Sequence, residues 1–332
     1  MTLRTSLCDL LGIDVPIIQA PIGGASVPAL AAAVSNAGGL GMLSVTWREP
    51  TELRTLLHET QERTPRTFGV NQVLTFDAAE RLEICLDEGV KVISFFWGDP
   101  APYVEQVHRA GAVVMQTVGS AAEARQAVEA GVDVIVAQGW EAGGHVLGQV
   151  STMALVPAVV DVAGSVPVVA AGGIADGRGI AAALMLGASG VWLGTRFLAS
   201  EEANAHPIVK ERVVQRAETD TAFGEIFNVG WENAPHRILR NSTVELWEAA
   251  GSPATNRPGA GDTVATNADG SPVVRYSDTM PRAGMTGDLE ALAYYAGQST
   301  GLIHSIEPAG RIVERLAAEA EEALRGGAKV AG

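Results

Sequence analysis

The chain has 332 residues, is 47% hydrophobic and 18% charged, and carries 38 acidic against 23 basic side chains, a formal net charge of -15. That length and apolar content exclude a disordered chain and suit one large barrel with an appended lobe. The negative balance, with no Lys/Arg cluster to offset it, repels a phosphate backbone, so nucleic acid is excluded as a partner.

The first residues place Asp9 where a secretory leader would need an unbroken apolar core, so no export is expected. Cys8 and Cys85 form no CxxC pair and have no zinc-like His spacing. Both read as reduced thiols of a cytoplasmic protein, with Cys85 a packing residue. From residue 16 onward, short apolar runs rich in β-branched residues alternate with longer amphipathic Ala/Leu/Glu runs. The expected strands are 16–20, 39–44, 68–73, 90–96, 112–118, 133–138, 166–171 and 190–197. Helical segments at 27–37, 78–88, 101–110, 121–130 and 177–186 lie between them, ended by Gly or Ala-Gly suited to a left-handed cap. The rhythm predicts a (β/α)8 TIM barrel, with a Rossmann-type sheet carrying extra strands as the alternative. The most apolar stretch, 150–174, is interrupted by Pro157, Asp161 and Pro167, so no membrane span is expected.

After residue 197 the rhythm breaks. Pro207, Pro235, Pro253, Pro258, Pro272 and Pro281 stand among Gly, Asn and Asp, with a helical piece at 208–216. Segments 289–299 and 308–324 look helical again. The expected division is a barrel of 1–200 and 286–332, with a smaller lobe of 201–285 inserted after the eighth strand. That lobe would sit over the C-terminal rim, where barrel active sites lie, and close over a substrate.

Two strand ends carry the strongest chemical signal: Val168-Val-Ala-Ala-Gly-Gly-Ile-Ala175 and Val191-Trp-Leu-Gly-Thr-Arg-Phe197. Loops after the seventh and eighth strands form phosphate sites in such barrels, because Gly admits close backbone approach and N–H groups donate to the anion. Gly172, Gly173, Gly194 and Thr195 are the candidates; the bland alternative is tight turns alone. Ala137-Gln-Gly-Trp-Glu-Ala-Gly-Gly-His145 ends the sixth strand and aims His145 into the rim, where an imidazole takes or gives a proton near neutral pH. Gly143 and Gly144 free the backbone to lie against a planar ligand. His58 and His108 sit in helical segments and keep a structural reading. Gln19, Asn71 and Gln116 end strands and suit hydrogen bonds to a heteroaromatic ring, or simply cap the strands. No GxGxxG fingerprint, Walker loop, HExxH helix or GxSxG elbow occurs.

The motifs Pro16-Ile-Ile-Gln-Ala-Pro-Ile22, Ala37-Gly-Gly-Leu-Gly41, Phe68-Gly-Val-Asn71, Glu141-Ala-Gly-Gly-His145, Ala170-Ala-Gly-Gly-Ile-Ala-Asp-Gly177 and Gly194-Thr-Arg-Phe197 occur in that order. Together they resemble the nitronate monooxygenases (2-nitropropane dioxygenases) and their sister group, the FMN-dependent enoyl-acyl-carrier-protein reductases, over nearly the whole chain. The resemblance implies non-covalent FMN contacted by Ala20, Pro21, Ile22, Asn71, Gln116, Gln138, Gly144, Gly172, Gly173, Gly194 and Thr195, with His145 as the active-site histidine. It implies oxidation of an alkyl nitronate with O2 to a carbonyl compound and nitrite, without nicotinamide. With a neutral nitroalkane, His145 would remove the carbon-bound proton, a role suited to a pKa near working pH. An NAD(P)H-dependent reductase acting on an enoyl thioester or quinone is the rival reading, and a non-catalytic FMN- or phosphate-binding barrel is a third. Family habit points to a homodimer. Ile22 stands where the family leads one to expect a bulkier residue such as Met, and Trp97, Trp140 and Trp231 would narrow the pocket or make it more aromatic.

Overall fold

The computed structural model describes residues 3–330. Residues 1, 2, 331 and 332, assigned above to the barrel, lie outside the described residues.

Strands β1 (Ile17–Gln19), β2 (Gly41–Ser44), β3 (Phe68–Val73), β4 (Val92–Phe96), β5 (Val113–Val118), β6 (Val134–Gln138), β8 (Val168–Ala171) and β9 (Gly190–Leu193) form one sheet. A two-residue strand, β7 (Gly144–His145), lies in the loop after β6. The sheet order is β1-β9-β8-β6-β5-β4-β3-β2, and each of its ladders is parallel. An isolated parallel bridge between Ile18 and Leu40 joins the two edges. There the Gln19 N–H donates to the Leu40 carbonyl at 2.9 Å and the Leu40 N–H to the Ile17 carbonyl at 3.0 Å. The chain is therefore a closed (β/α)8 barrel, as expected.

Because successive strand residues face opposite ways, the strands feed two cores. Ile17, Leu43, Ile93, Val114, Ile135, Val168 and Val191 point outward to the surrounding helices. Ile18, Met42, Val92, Met115, Val134, Val169 and Trp192 fill the interior. Helix Ser6–Leu11 contributes Leu7, Cys8 and Leu11 to that same interior cluster and so plugs the barrel. Gly190 makes room for the plug, since a Cβ there would lie 2.5 Å from a Leu7 methyl. Both thiols are buried and free, and burial pushes Cys85 up to about 12, which leaves it an inert packing group.

Local chemistry sets the helix ends. Ser120 accepts from the Glu123 N–H at 3.2 Å while the Glu123 carboxylate takes the Gly119 N–H at 2.6 Å, a variant of the capping box. Gly131 then ends that helix at φ 87°. At the eighth strand the sequence expectation runs too long: β9 stops at Leu193, and Thr195–Leu198 is a single helical turn. Arg196 in that turn is 1% exposed and donates to the Ala199 and Ser305 carbonyls at 2.8 and 2.6 Å. It clasps the point where the chain leaves the barrel to the point where it returns.

Two small sheets mark the insertion. Strands β10 (Thr221–Gly224) and β11 (His236–Leu239) form one with β7, in the order β10-β11-β7, so the lobe is stitched directly to the loop bearing His145. Strands β12 (Thr263–Thr266), β13 (Pro272–Val274) and β14 (Thr286–Gly287) form the other. Strand β14 begins directly after residue 285, and an isolated parallel bridge joins Ser200 to Glu307. The helix expected at 289–299 is instead two 3-10 turns, Leu289–Ala291 and Gln298–Leu302, flanking an extended stretch. There the Tyr294 carbonyl accepts from the Leu239 N–H at 2.8 Å, and Tyr295 bridges Ile238, so tertiary pairing replaces the i to i-4 bonds. The helices expected at 208–216 and 308–324 appear as Pro207–Gln215 and Ala309–Val330. Among the described residues no helix is long and apolar enough to cross a membrane.

Candidate active site

A cavity of about 560 Å3 opens at the C-terminal ends of the strands. That volume suits a cofactor or small ligand. It brings together Ala20, Pro21 and Ile22 after β1, Asn71 in β3, Gln138 at the end of β6, Gly144 and His145 in β7, Gly172 and Gly173 after β8, and Gly194 and Thr195 after β9. Gln116 is not brought in. Its amide nitrogen turns to the Thr117 carbonyl at 3.2 Å, and its neighbour Thr117 lines the cavity instead.

The floor is built from backbone. Gly172 and Gly173 have φ of 97° and 73°, in the left-handed region that favours glycine. A Cβ on Gly172 would lie 2.8 Å from the Gly139 carbonyl, so Gly172 is fixed by packing; on Gly173 it would make only ordinary contact with Glu141 at 3.4 Å. Among the described residues no acceptor is hydrogen-bonded to the N–H of Gly173 or Gly194, which leaves both donors free beside the cavity. The turn is braced from behind: the Thr152 hydroxyl donates to the Gly172 carbonyl at 2.9 Å, and the Thr152 N–H donates to Glu141 at 2.9 Å. The next helix offers no free N-terminus, because Asp176 takes the Gly179 N–H at 3.0 Å and Glu319 the Gly177 N–H at 3.1 Å.

His145 is held on both sides. The Gln138 amide donates to its carbonyl at 3.1 Å and accepts the Leu147 N–H at 3.2 Å, while β7 pairs His145 with His236 of β11. Trp231 lies over the imidazole with ring centroids 4.0 Å apart, and Tyr295 and Trp97 stand at 5.4 and 5.7 Å. The imidazole Nε2 is buried with no hydrogen-bond partner. Burial, and then the proximity of His236, lower its pKa to about 3. The sequence suggested a group titrating near neutrality; the aromatic enclosure makes it a neutral imidazole there instead. His236 is fully buried, with Nδ1 against the Ala234 carbonyl at 2.9 Å and Nε2 accepting the Phe227 N–H at 3.2 Å, so both its nitrogens are committed.

The two glycines before His145 serve different ends. A Cβ on Gly143 would lie 2.3 Å from the Ala296 and Gly297 backbone, so Gly143 lets the extended stretch between the two 3-10 turns pass. A Cβ on Gly144, at φ 75°, meets nothing within 4 Å. Trp140 is not in the cavity; it packs on Phe223 and beneath the Arg237 guanidinium at 4.5 Å. His58 and His108 pair with Glu88 and Asp133 on the surface, at 2.7 and 2.9 Å.

Sequence reasoning missed the lobe's share of the site. Asp278, Thr279, Arg282 and Tyr295 line the cavity, and burial raises the Asp278 carboxyl above its ordinary range. Asp278, Thr279 and Arg282 lie in a stretch without periodicity or glycine pattern, Tyr295 lies in the segment read as helix, and only folding the lobe back brings them over the rim.

A closed parallel barrel with a glycine-lined, ligand-sized cavity at its C-terminal rim, and one histidine facing that cavity, defines a barrel enzyme. The nitronate monooxygenase family matches residues 4–80 and 75–319, and the chain belongs to that family of oxidoreductases. It is 40% identical over 252 residues, 75% of this chain and 70% of the relative, to a "(3aS,4S,5R,7aS)-5-hydroxy-7a-methyl-1-oxo-octahydro-1H-indene-4-carboxyl-CoA dehydrogenase" of Mycobacterium tuberculosis. The solved structure of FabK from Thermotoga maritima superposes with a TM-score of 0.83 at 35% identity, covering 98% of both chains. A nitroalkane oxidase from Streptomyces ansochromogenes superposes with a TM-score of 0.79 at 32% identity, covering 96% of this chain and 99% of the other.

Proposed function

We propose that the protein is an FMN-dependent nitronate monooxygenase that converts alkyl nitronates, and nitroalkanes where His145 can deprotonate them, to carbonyl compounds and nitrite with O2. The observation that carries the proposal is His145: a neutral imidazole with an unpartnered buried nitrogen, strapped by Gln138 at the wall of the cavity.

The donor set suits the cofactor. The free N–H groups of Gly173 and Gly194 and the Thr195 hydroxyl would hold the phosphate, although that hydroxyl already accepts the Gly297 N–H at 2.9 Å and so offers its proton. Asn71 and Gln138 would read the polar edge of the ring system, and Ala20 to Ile22 with Gly144 leave room for its plane. Bound there, FMN would supply the electron-transfer and oxygen chemistry.

The chain's own residues do the rest. Trp231, Tyr295 and Trp97 pack around the imidazole and strip much of its hydration. As the proton leaves a neutral nitroalkane, the negative charge developing on the substrate favours the protonated ring beside it, so the imidazole can hold the proton it accepts from carbon. Gln138 fixes the loop from which the ring projects, so that the proton is taken at a set position.

The test is oxygen uptake by the purified yellow protein on addition of a small alkyl nitronate without nicotinamide. Rapid uptake with release of nitrite is expected. The likeness to FabK favours a second reading, an NAD(P)H-dependent reductase of the same barrel. Anaerobic bleaching of the flavin by NADH or NADPH, with no uptake on nitronate, would establish that reading and overturn the first.

A further inference from the structure

A second cavity, about 660 Å3 and more open to solvent, adjoins the first, and Gly230 and Trp231 line both. Its other walls are the loops after β3 and β4, through Phe76 and Trp97. Three of the chain's six tryptophans gather here, in a protein only 5% aromatic. Trp231 meets Trp97, Phe76 and Trp47 edge-on at 4.7, 5.4 and 5.8 Å, and Phe96 stacks on Trp97 at 5.2 Å and 10°. Trp47, which lines the first cavity and packs on Phe76 and Trp231, is 50% exposed, a large apolar surface left in water.

Two further observations set this wall apart from ordinary packing. Trp97 has φ of 46°, a left-handed backbone that bulky residues avoid and that persists where the surrounding structure imposes it, often at binding sites. Its indole Nε1 is also buried without an acceptor.

We propose that this outer cavity is a subsite for the non-reacting part of the substrate, that this part is an uncharged aromatic ring, and that Trp231 is the partition that sets its distance from His145. The proposal deepens the nitronate reading and rests on it for the reaction, though not for the binding. Edge-on aromatic walls favour another ring, which can present its face or edge to each of them. Charge selects against the aromatic ring of a dinucleotide: among the described residues the one ionisable side chain lining the outer cavity is Glu232, an acid, and no Lys or Arg lines it to meet a diphosphate. Asn233 and Thr75 at the rim leave room for one polar substituent.

The experiment uses the flavin-loaded enzyme and two probes, ethyl nitronate and phenethyl nitronate, together with unreactive phenethyl alcohol, whose binding is followed by tryptophan fluorescence. The wild type should prefer the phenethyl nitronate in kcat/KM by about tenfold or more, the scale of one well-filled hydrophobic subsite. Phe76→Ala, which trims the outer wall alone, should erase that preference through KM. It should also weaken phenethyl alcohol binding by about tenfold and leave ethyl nitronate turnover unchanged. Trp231→Ala should lose the preference and Trp231→Phe retain most of it. Wild-type affinity for phenethyl alcohol in Phe76→Ala would overturn the subsite. So would NADH binding weakened by Phe76→Ala while phenethyl alcohol fails to bind at all. Phenethyl alcohol binding that depends on Phe76, in an enzyme that consumes neither nitronate, would leave the subsite standing and count against the proposed reaction instead.

Discussion

Replacing His145 by Asn removes an imidazole whose pKa burial and His236 have driven from 6.5 to about 3. Between those values the unfolded chain binds the proton and the folded one does not, so stability is complete above the unfolded pKa and is lost as pH falls toward the folded one. At about pH 4.5, some two units below the unfolded pKa, unscreened burial would cost the wild type about 2.7 kcal/mol relative to neutral pH. The ring lines a solvent-reachable cavity, and screening reduces this to about 1.5 kcal/mol. Urea unfolding of both proteins at about pH 7.5 and about pH 4.5 measures the difference directly. The wild type should lose about 1.5 kcal/mol more than His145→Asn on acidification, carboxylates elsewhere cancelling in the comparison. Parallel losses would refute the neutral, enclosed imidazole and with it the account of the site's electrostatics.

The same low pKa predicts that kcat/KM for a nitronate shows no His145 limb near its ordinary 6.5; a pH–rate profile with such a limb would contradict the enclosure. Gly173→Val places a β-branched residue at φ 73°, costing about 1–2 kcal/mol, and fills the space kept for a phosphate. The purified protein should lack flavin, and a full flavin-to-protein ratio would move the phosphate site elsewhere. Gly143→Ala drives a Cβ to within 2.3 Å of the Ala296 and Gly297 backbone, a clash worth about 3 kcal/mol, so thermal denaturation should show a clear drop in Tm; an unchanged Tm would mean that the backbone at 296–297 is not held against Gly143.

Much of the barrel was legible because its determinants are local. Continuous apolar runs at 134–137 and 168–171 mark strands buried on both faces, as in a parallel sheet. Ser120 with Glu123, and Gly131, mark helix ends through bonds spanning a few residues. The paired glycines at 172 and 173 announced a left-handed turn because other residues rarely adopt that backbone. His145 stood out by following two glycines at a strand end, and Gly144 and Gln138 came with it.

Other features depended on contacts between distant parts of the chain. Residues 289–299 carry a helix-like pattern, yet pairing with β11 draws them straight, a competition that only the folded lobe decides. Gln116 and Thr117 are adjacent in one strand, and which of them faces the cavity follows from β5's place in the closed barrel. The histidine's chemistry is likewise tertiary. The sequence supplies an imidazole with an ordinary pKa, and Trp231 and His236, roughly ninety residues away, make it a neutral one. The sequence by itself thus determined the strands, their glycine turns and the histidine that faces the cavity. The tertiary structure decided its protonation, the lobe residues that complete the cavity, and the aromatic chamber beyond it, because desolvation and ring packing depend on neighbours that no local pattern records.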